Sequence, residues 1–66
     1  MTLAQLKAQL AAINCTMRHV DGEIRVNMRV ADEATAYYTN DREDALATAT
    51  EMRRIEDARV ASALGL

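Results

Sequence analysis

The sequence predicts an α+β domain of order α-β-β-β-α, a three-stranded antiparallel sheet with two helices packed on one face. Three observations carry this. Asp21-Gly22 suits a two-residue type I′ turn, in which both central positions need positive φ. Folding there places Val20 opposite Glu23, His19 opposite Ile24, Arg18 opposite Arg25, Met17 opposite Val26, Thr16 opposite Asn27 and Cys15 opposite Met28. The flanking segments, residues 1–14 and 40–64, carry capped helical apolar stripes. In this register Cys15, Met17, His19, Ile24, Val26, Met28 and Val30 share one face, and Thr16, Arg18, Val20, Glu23, Arg25, Asn27 and Arg29 the other. A slip of one residue mixes the two sets, so the pairing is well specified.

The first helix opens on a capping box, Thr2 with Gln5, and aligns Leu3, Leu6, Leu10 and Ile13. Asn14 closes it, because Asn tolerates the left-handed conformation that ends helices. The strands Cys15–Val20 and Glu23–Val30 follow, then a loop Ala31–Ala34 and a third strand Thr35–Thr39 of β-branched, aromatic or small residues. With that loop Tyr37 points inward and Tyr38 outward beside Asn27; a loop one residue shorter swaps them.

The second helix starts at Asn40 or Asp41, with Glu43 and Asp44 where the helix dipole favours anions. At ~100° per residue its stripe is Ala45, Leu46, Ala49, Met52, then Val60, Ala63 and Leu64. Arg53 and Glu56 interrupt the stripe and Ile55 falls off it. The first three turns are therefore expected on the sheet, with the remainder projecting past it. The expected core is Leu3, Leu6, Leu10, Ile13, Met17, Ile24, Val26, Met28, Leu46, Ala49 and Met52.

Sixty-six residues make one domain, residues 1–66, too short for a large core. A single cysteine allows no internal disulfide, and with a single histidine no structural zinc site; no metal or cofactor is expected. Cys15 reads as a small buried hydrophobe in a reducing, cytoplasmic setting. No secretory leader or membrane span is expected, since the longest uncharged stretch, Ala8–Met17, is too short to cross a bilayer. The net charge of −2 hides an asymmetry: residues 1–31 are mildly basic and residues 32–66 acidic. That argues against a protein that coats nucleic acid through many phosphate contacts.

Catalytic groupings are missing from the pattern. His19 lies beside Met17 and Ile24 and reads as a partly buried structural histidine. Cys15 has no basic group on its face, the hydroxyls have no His–acid partnership, and Gly22 and Gly65 form no phosphate loop. The chain is read as not an enzyme. The candidate contact face is the outer side of the sheet, with Arg18, Arg25, Asn27, Arg29 and Tyr38. Arg18 and Arg25 oppose each other as like charges, which an anionic partner would relieve. Solvated arginines, or pairing with Glu23, fit the same residues. A second candidate is the end of the last helix, with Ile55, Arg59 and Leu66, against the alternative of a frayed, charged terminus. A small core, the missing disulfide and the displaced Ile55 point to a homodimer through that helix or the third-strand edge.

The element order is similar to that of double-stranded-RNA-binding domains. Here, however, the first inter-strand loop is only Asp21-Gly22, and the last helix opens Asn40-Asp41-Arg42-Glu43-Asp44, with acids where that family has phosphate-binding lysines. Its mechanism is not carried over. The runs Glu23-Ile24-Arg25-Val26-Asn27, Glu33-Ala34-Thr35-Ala36-Tyr37-Tyr38-Thr39 and Asp44-Ala45-Leu46-Ala47-Thr48-Ala49 resemble a family of small phage and prophage proteins of undetermined function. That resemblance implies a bacterial or phage-infected cytoplasm and a non-enzymatic accessory role. The expected function is an interaction module binding a protein partner through the arginine- and tyrosine-bearing face. The alternative is a nucleic-acid binder using the same face.

Overall fold

The computed structural model describes residues 1–65. The order is α1 (Leu3–Ala12), β1 (Cys15–Val20), β2 (Glu23–Met28), a single 3₁₀ turn (Glu33–Thr35), β3 (Tyr37–Thr39) and α2 (Arg42–Ala63). The strands form one antiparallel sheet in the order β1-β2-β3. This is the α-β-β-β-α arrangement expected.

Local chemistry sets each boundary. The capping box at α1 is closed in both directions: Gln5 N donates to Thr2 Oγ1 at 3.1 Å, and Thr2 N to Gln5 Oε1 at 2.8 Å. Asn14 takes φ 59° just past the helix, the left-handed exit expected of it. Asp21 and Gly22 adopt φ 51° and 80°, and all six β1–β2 pairs take the expected register. Asp41 caps α2, its Oδ1 accepting from Glu43 N at 2.9 Å and Asp44 N at 3.1 Å.

The β2–β3 connection departs from the sequence reading. β2 stops at Met28 instead of Val30, and Val30 is 90% exposed instead of facing the core. Thr35 leaves the third strand: its N–H donates to Asp32 O, and Ala36 N to Glu33 O, in the 3₁₀ turn. The cause is Asn27. Its amide ties residues 32–35 over the outer face of the sheet, so the chain must turn away from the ladder right after Met28.

Leu6, Leu10, Cys15, Ile24, Val26, Ala45 and Ala49 are buried together, with Leu3, Ile13, Met17, Met28, Tyr37 and Leu46 packed against them. Met52 is half-buried. α1 lies against β1 and α2, and α2 spans β2 and β3. Complete burial of such aliphatic side chains contributes roughly 1.5–3 kcal/mol each, which makes this small cluster the main source of stability.

Beyond Met52, α2 runs past the sheet. A helix of 22 residues is about 33 Å long, whereas a six-residue strand spans about 20 Å. The molecule measures 41 × 23 × 16 Å accordingly. Val60 and Leu64 continue the stripe and are exposed, Leu64 to 68%. Arg53 interrupts that stripe for a structural reason. Its Nε donates to Ile13 O at 3.0 Å and an Nη to Asn14 O at 3.3 Å, satisfying carbonyls at the end of α1. No helix among the described residues is long and apolar enough to cross a membrane.

Candidate functional site

The outer face of the sheet is built from alternate residues of three strands: Thr16, Arg18 and Val20 from β1, Glu23, Arg25 and Asn27 from β2, and Tyr38 from β3. Its central row runs Arg18–Arg25–Tyr38. Tyr38 points outward and Tyr37 inward, but Tyr38 pairs with Arg25 and not with Asn27 as the sequence suggested. Residues 29–36 all belong to the connection, and this sets where β3 begins.

The like-charge pair Arg18–Arg25 is present, and the protein relieves it internally. Glu33, carried over the sheet by the 3₁₀ turn, accepts from Arg25 Nε at 3.0 and 3.1 Å and from Tyr38 Oη at 2.9 and 3.1 Å. The Arg25 side chain is left 18% exposed. The Arg25 guanidinium, and next the Tyr38 hydroxyl, hold the Glu33 carboxyl below its ordinary value of 4.5. An outside anion is therefore not required at Arg25, and Glu33, not Glu23, is its partner.

Asn27 is also corrected. It was expected in solvent, and it is 2% exposed. Its Nδ2 donates to Asp32 O at 2.9 Å, while its Oδ1 accepts from Met28 N at 2.9 Å and Thr35 Oγ1 at 2.8 Å. It is a fastening, unavailable to a partner. Arg29 lies one residue past β2, exposed, its Nε donating to Asn14 Oδ1 at 3.0 Å. Arg18 makes no ion pair among the described residues and stands beside exposed Val20 on β1, whereas Tyr38, also exposed, lies beyond Arg25 on β3. β1 is an edge strand, with β2 beside it and no strand on its other side among the described residues.

Of the second candidate group, Ile55 is 55% exposed. Arg59 pairs with Glu56 and Arg54 with Glu51 along the helix surface. These guanidiniums hold both glutamates below the ordinary carboxylate value. Leu66 lies outside the described residues.

His19 is exposed at the hairpin tip, not partly buried as expected, because α1 and α2 cover the sheet short of that end. It borders an open cleft of about 760 Å³ with Leu3, Asp41 and Glu43. Asp41 in that cleft is committed to capping α2. Cys15 is buried, its Sγ 3.7 Å from Ile13 O. Burial pushes its thiol up, against an opposing pull from Arg53. That arginine comes from α2, and Arg29 just past β2 adds a weaker pull, so basic groups do reach Cys15 from outside its strand face. No group of three or more His, Cys, Asp and Glu side chains placed for a metal ion occurs among the described residues.

Comparison with family models, curated proteins and solved structures finds no match.

The sequence reading placed Val20 on the outer face but left it out of the contact residues, and it missed the role of Glu33. Arg25 and Glu33 are eight positions apart across a connection, where no helical or strand spacing links them. The available signal was Asp32, a residue type that bonds its own backbone two positions on and so favours a turn that brings Glu33 back over the sheet.

Proposed function

We propose that this chain is a small non-enzymatic interaction module that binds a protein partner at the β1 side of the outer sheet face. The observation that carries this reading is the arrangement around Glu33. It neutralises Arg25 and fixes Tyr38, leaving Arg18 without an ion pair among the described residues, beside exposed Val20 on the edge strand β1. A cation and an aliphatic group next to unpaired strand backbone suit an extended protein segment bearing a carboxylate, which adds to the edge through main-chain hydrogen bonds. The likeness to small phage and prophage proteins, together with the unbridged cysteine, supports an accessory role in a bacterial cytoplasm. A nucleic-acid strand suits the face less well, because Arg18 is the one cation of the sheet face without an ion pair among the described residues, whereas such binding draws on many phosphate contacts.

The test is capture from bacterial lysate beside titration with single- and double-stranded DNA and RNA at two salt concentrations. The proposed site predicts a captured partner that is lost with Arg18→Glu and with Val20→Asp, and retained with Lys7→Glu on α1. Nucleic-acid binding that weakens steeply with salt and is lost with Arg18→Glu would replace this reading with the other. A partner retained by both face variants would remove the face from consideration.

A further inference from the structure

The projecting half of α2 has a second surface, on the side away from the sheet. At about 100° per residue, Glu51, Ile55, Ala58, Arg59 and Ser62 lie within one stripe, and Glu51 and Arg59 stand about 40° to either side of Ile55. Ile55 is the one large apolar side chain in that stripe among the described residues, and half of it is open to solvent. Its neighbours Ala58 and Ser62 are small enough to let another helix approach. The charges are ordered as well: an acid one turn before Ile55 and a base one turn after it.

This order is self-complementary. Turn a second copy of the helix antiparallel about a two-fold axis at Ile55, and Ile55 meets its own counterpart. Glu51 then comes within reach of the other copy's Arg59 at one end, and Arg59 of the other copy's Glu51 at the other. A parallel pairing would instead set Glu51 against Glu51 and Arg59 against Arg59. We infer that the Ile55 stripe of α2 binds a second copy of this chain as an antiparallel, two-fold-symmetric helix pair, with reciprocal Glu51–Arg59 contacts across it. In the single chain Glu51 holds Arg54 at the surface, and exposed Arg59 holds a partly covered Glu56. Exposed pairs of this kind contribute little, so exchanging or sharing them across an interface meets little opposition. One helix face from each copy is a small interface, below about 1,200 Å² in total, so pairing belongs at high protein concentration. The surface is separate from the outer sheet face, and neither proposal depends on the other.

Sedimentation equilibrium of the full chain, from micromolar to millimolar, tests it. The particle mass is expected to rise from 7.3 kDa to twice that value. Ile55→Asp should hold it at the single-chain mass, with an unchanged circular dichroism spectrum. Glu51→Arg alone and Arg59→Glu alone should each stay single, since each sets like charges against one another at both ends. Mixed in equal amounts, the two variants should pair with each other, because one then offers two arginines and the other two glutamates. A native chain that remains at 7.3 kDa throughout overturns the inference. So does an Ile55→Asp variant that still doubles, or a mixture of the charge variants that fails to combine.

Discussion

β2 leaves β1 through two residues and reaches β3 through eight, and the two connections are specified by different means. The first is written in the backbone. Asp21 and Gly22 both take positive φ, the strands follow in strict alternation, and no side chain need reach across. The second is written in side chains. Asn27 fixes Asp32 and Thr35, Asp32 accepts from Ala34 N at 3.1 Å, and Glu33 binds Arg25 and Tyr38. A backbone-coded turn depends on two adjacent residues and nothing else. A side-chain-coded connection depends on residues from both strands it joins, and in return it covers part of the sheet.

Replacing Asn27 should break that contrast most severely. Asn27→Leu removes three hydrogen bonds and strands Met28 N, while Asp32 O and the N–H and hydroxyl of Thr35 keep only each other, and should cost about 2–3 kcal/mol. Amide hydrogen exchange should accelerate across residues 30–39 while β1 and β2 stay protected. Uniform acceleration over the whole sheet would show that the two connections are not separable.

The turn should be more forgiving. Gly22→Val forces a β-branched residue to φ 80° and should cost about 1–2 kcal/mol by thermal melting. A Cβ at this position meets nothing within 4 Å, so the cost is conformational and Gly22→Asn should recover most of it. Equal losses for Val and Asn would point to a steric cause instead. A smaller effect is expected at the start of the 3₁₀ turn, where Asp32→Ala removes one cap and should cost about 0.5–1 kcal/mol in the same melts.

The smallest effect is expected from pH. Glu33 is held below its ordinary 4.5, chiefly by Arg25 and then by Tyr38, and Asp44 below its ordinary 3.8, chiefly by the Tyr37 hydroxyl. For a carboxylate whose folded pKa is depressed, the stabilisation is full above the unfolded value and lost as pH falls through the folded one. The stability gap between the native chain and Glu33→Gln should therefore be present at neutral pH and close in acid. A gap that persists at the acid end would mean Glu33 acts by packing and not by charge.

The same contrast explains which features were legible in the sequence. Asp21-Gly22, Thr2 with Gln5, Asn14 and Asp41 are local signals, and each appears in the structure where it was read. Ile24 and Val26 follow from alternation and are buried. Asn27 obeys the same alternation, which places it on the outer side, but alternation gives only the face a residue occupies and not what later lies over that face. Its composition held a warning: Asn is unfavourable in mid-strand, and its amide seeks backbone partners. Val30 was read as inward because the period was extended beyond the last ladder pair. At the candidate site the row Arg18–Arg25 was legible from register, whereas its neutralisation by Glu33 depends on the path of the second connection.

The hold of Arg53 on the carbonyls of Ile13 and Asn14 has a consequence for the order in which the chain folds. It joins positions 40 apart, whereas the Asp21-Gly22 turn joins immediate neighbours. Hairpins of this kind close in about 1–10 μs, before distant segments have met. α1 can wind early on its own capping box, and Arg29 N of the hairpin reaches the Asn14 carbonyl, but the arginine bond to Ile13 O waits for α2 to dock. The arginine clamp is therefore a late contact: Arg53→Ala should leave the refolding limb of a chevron nearly unmoved and steepen loss of the native state by raising the unfolding rate. Gly22→Val should do the reverse, slowing refolding in stopped-flow traces. The single arginine in the apolar stripe thus governs how long the folded chain lasts, and the glycine at the hairpin tip how soon it is reached.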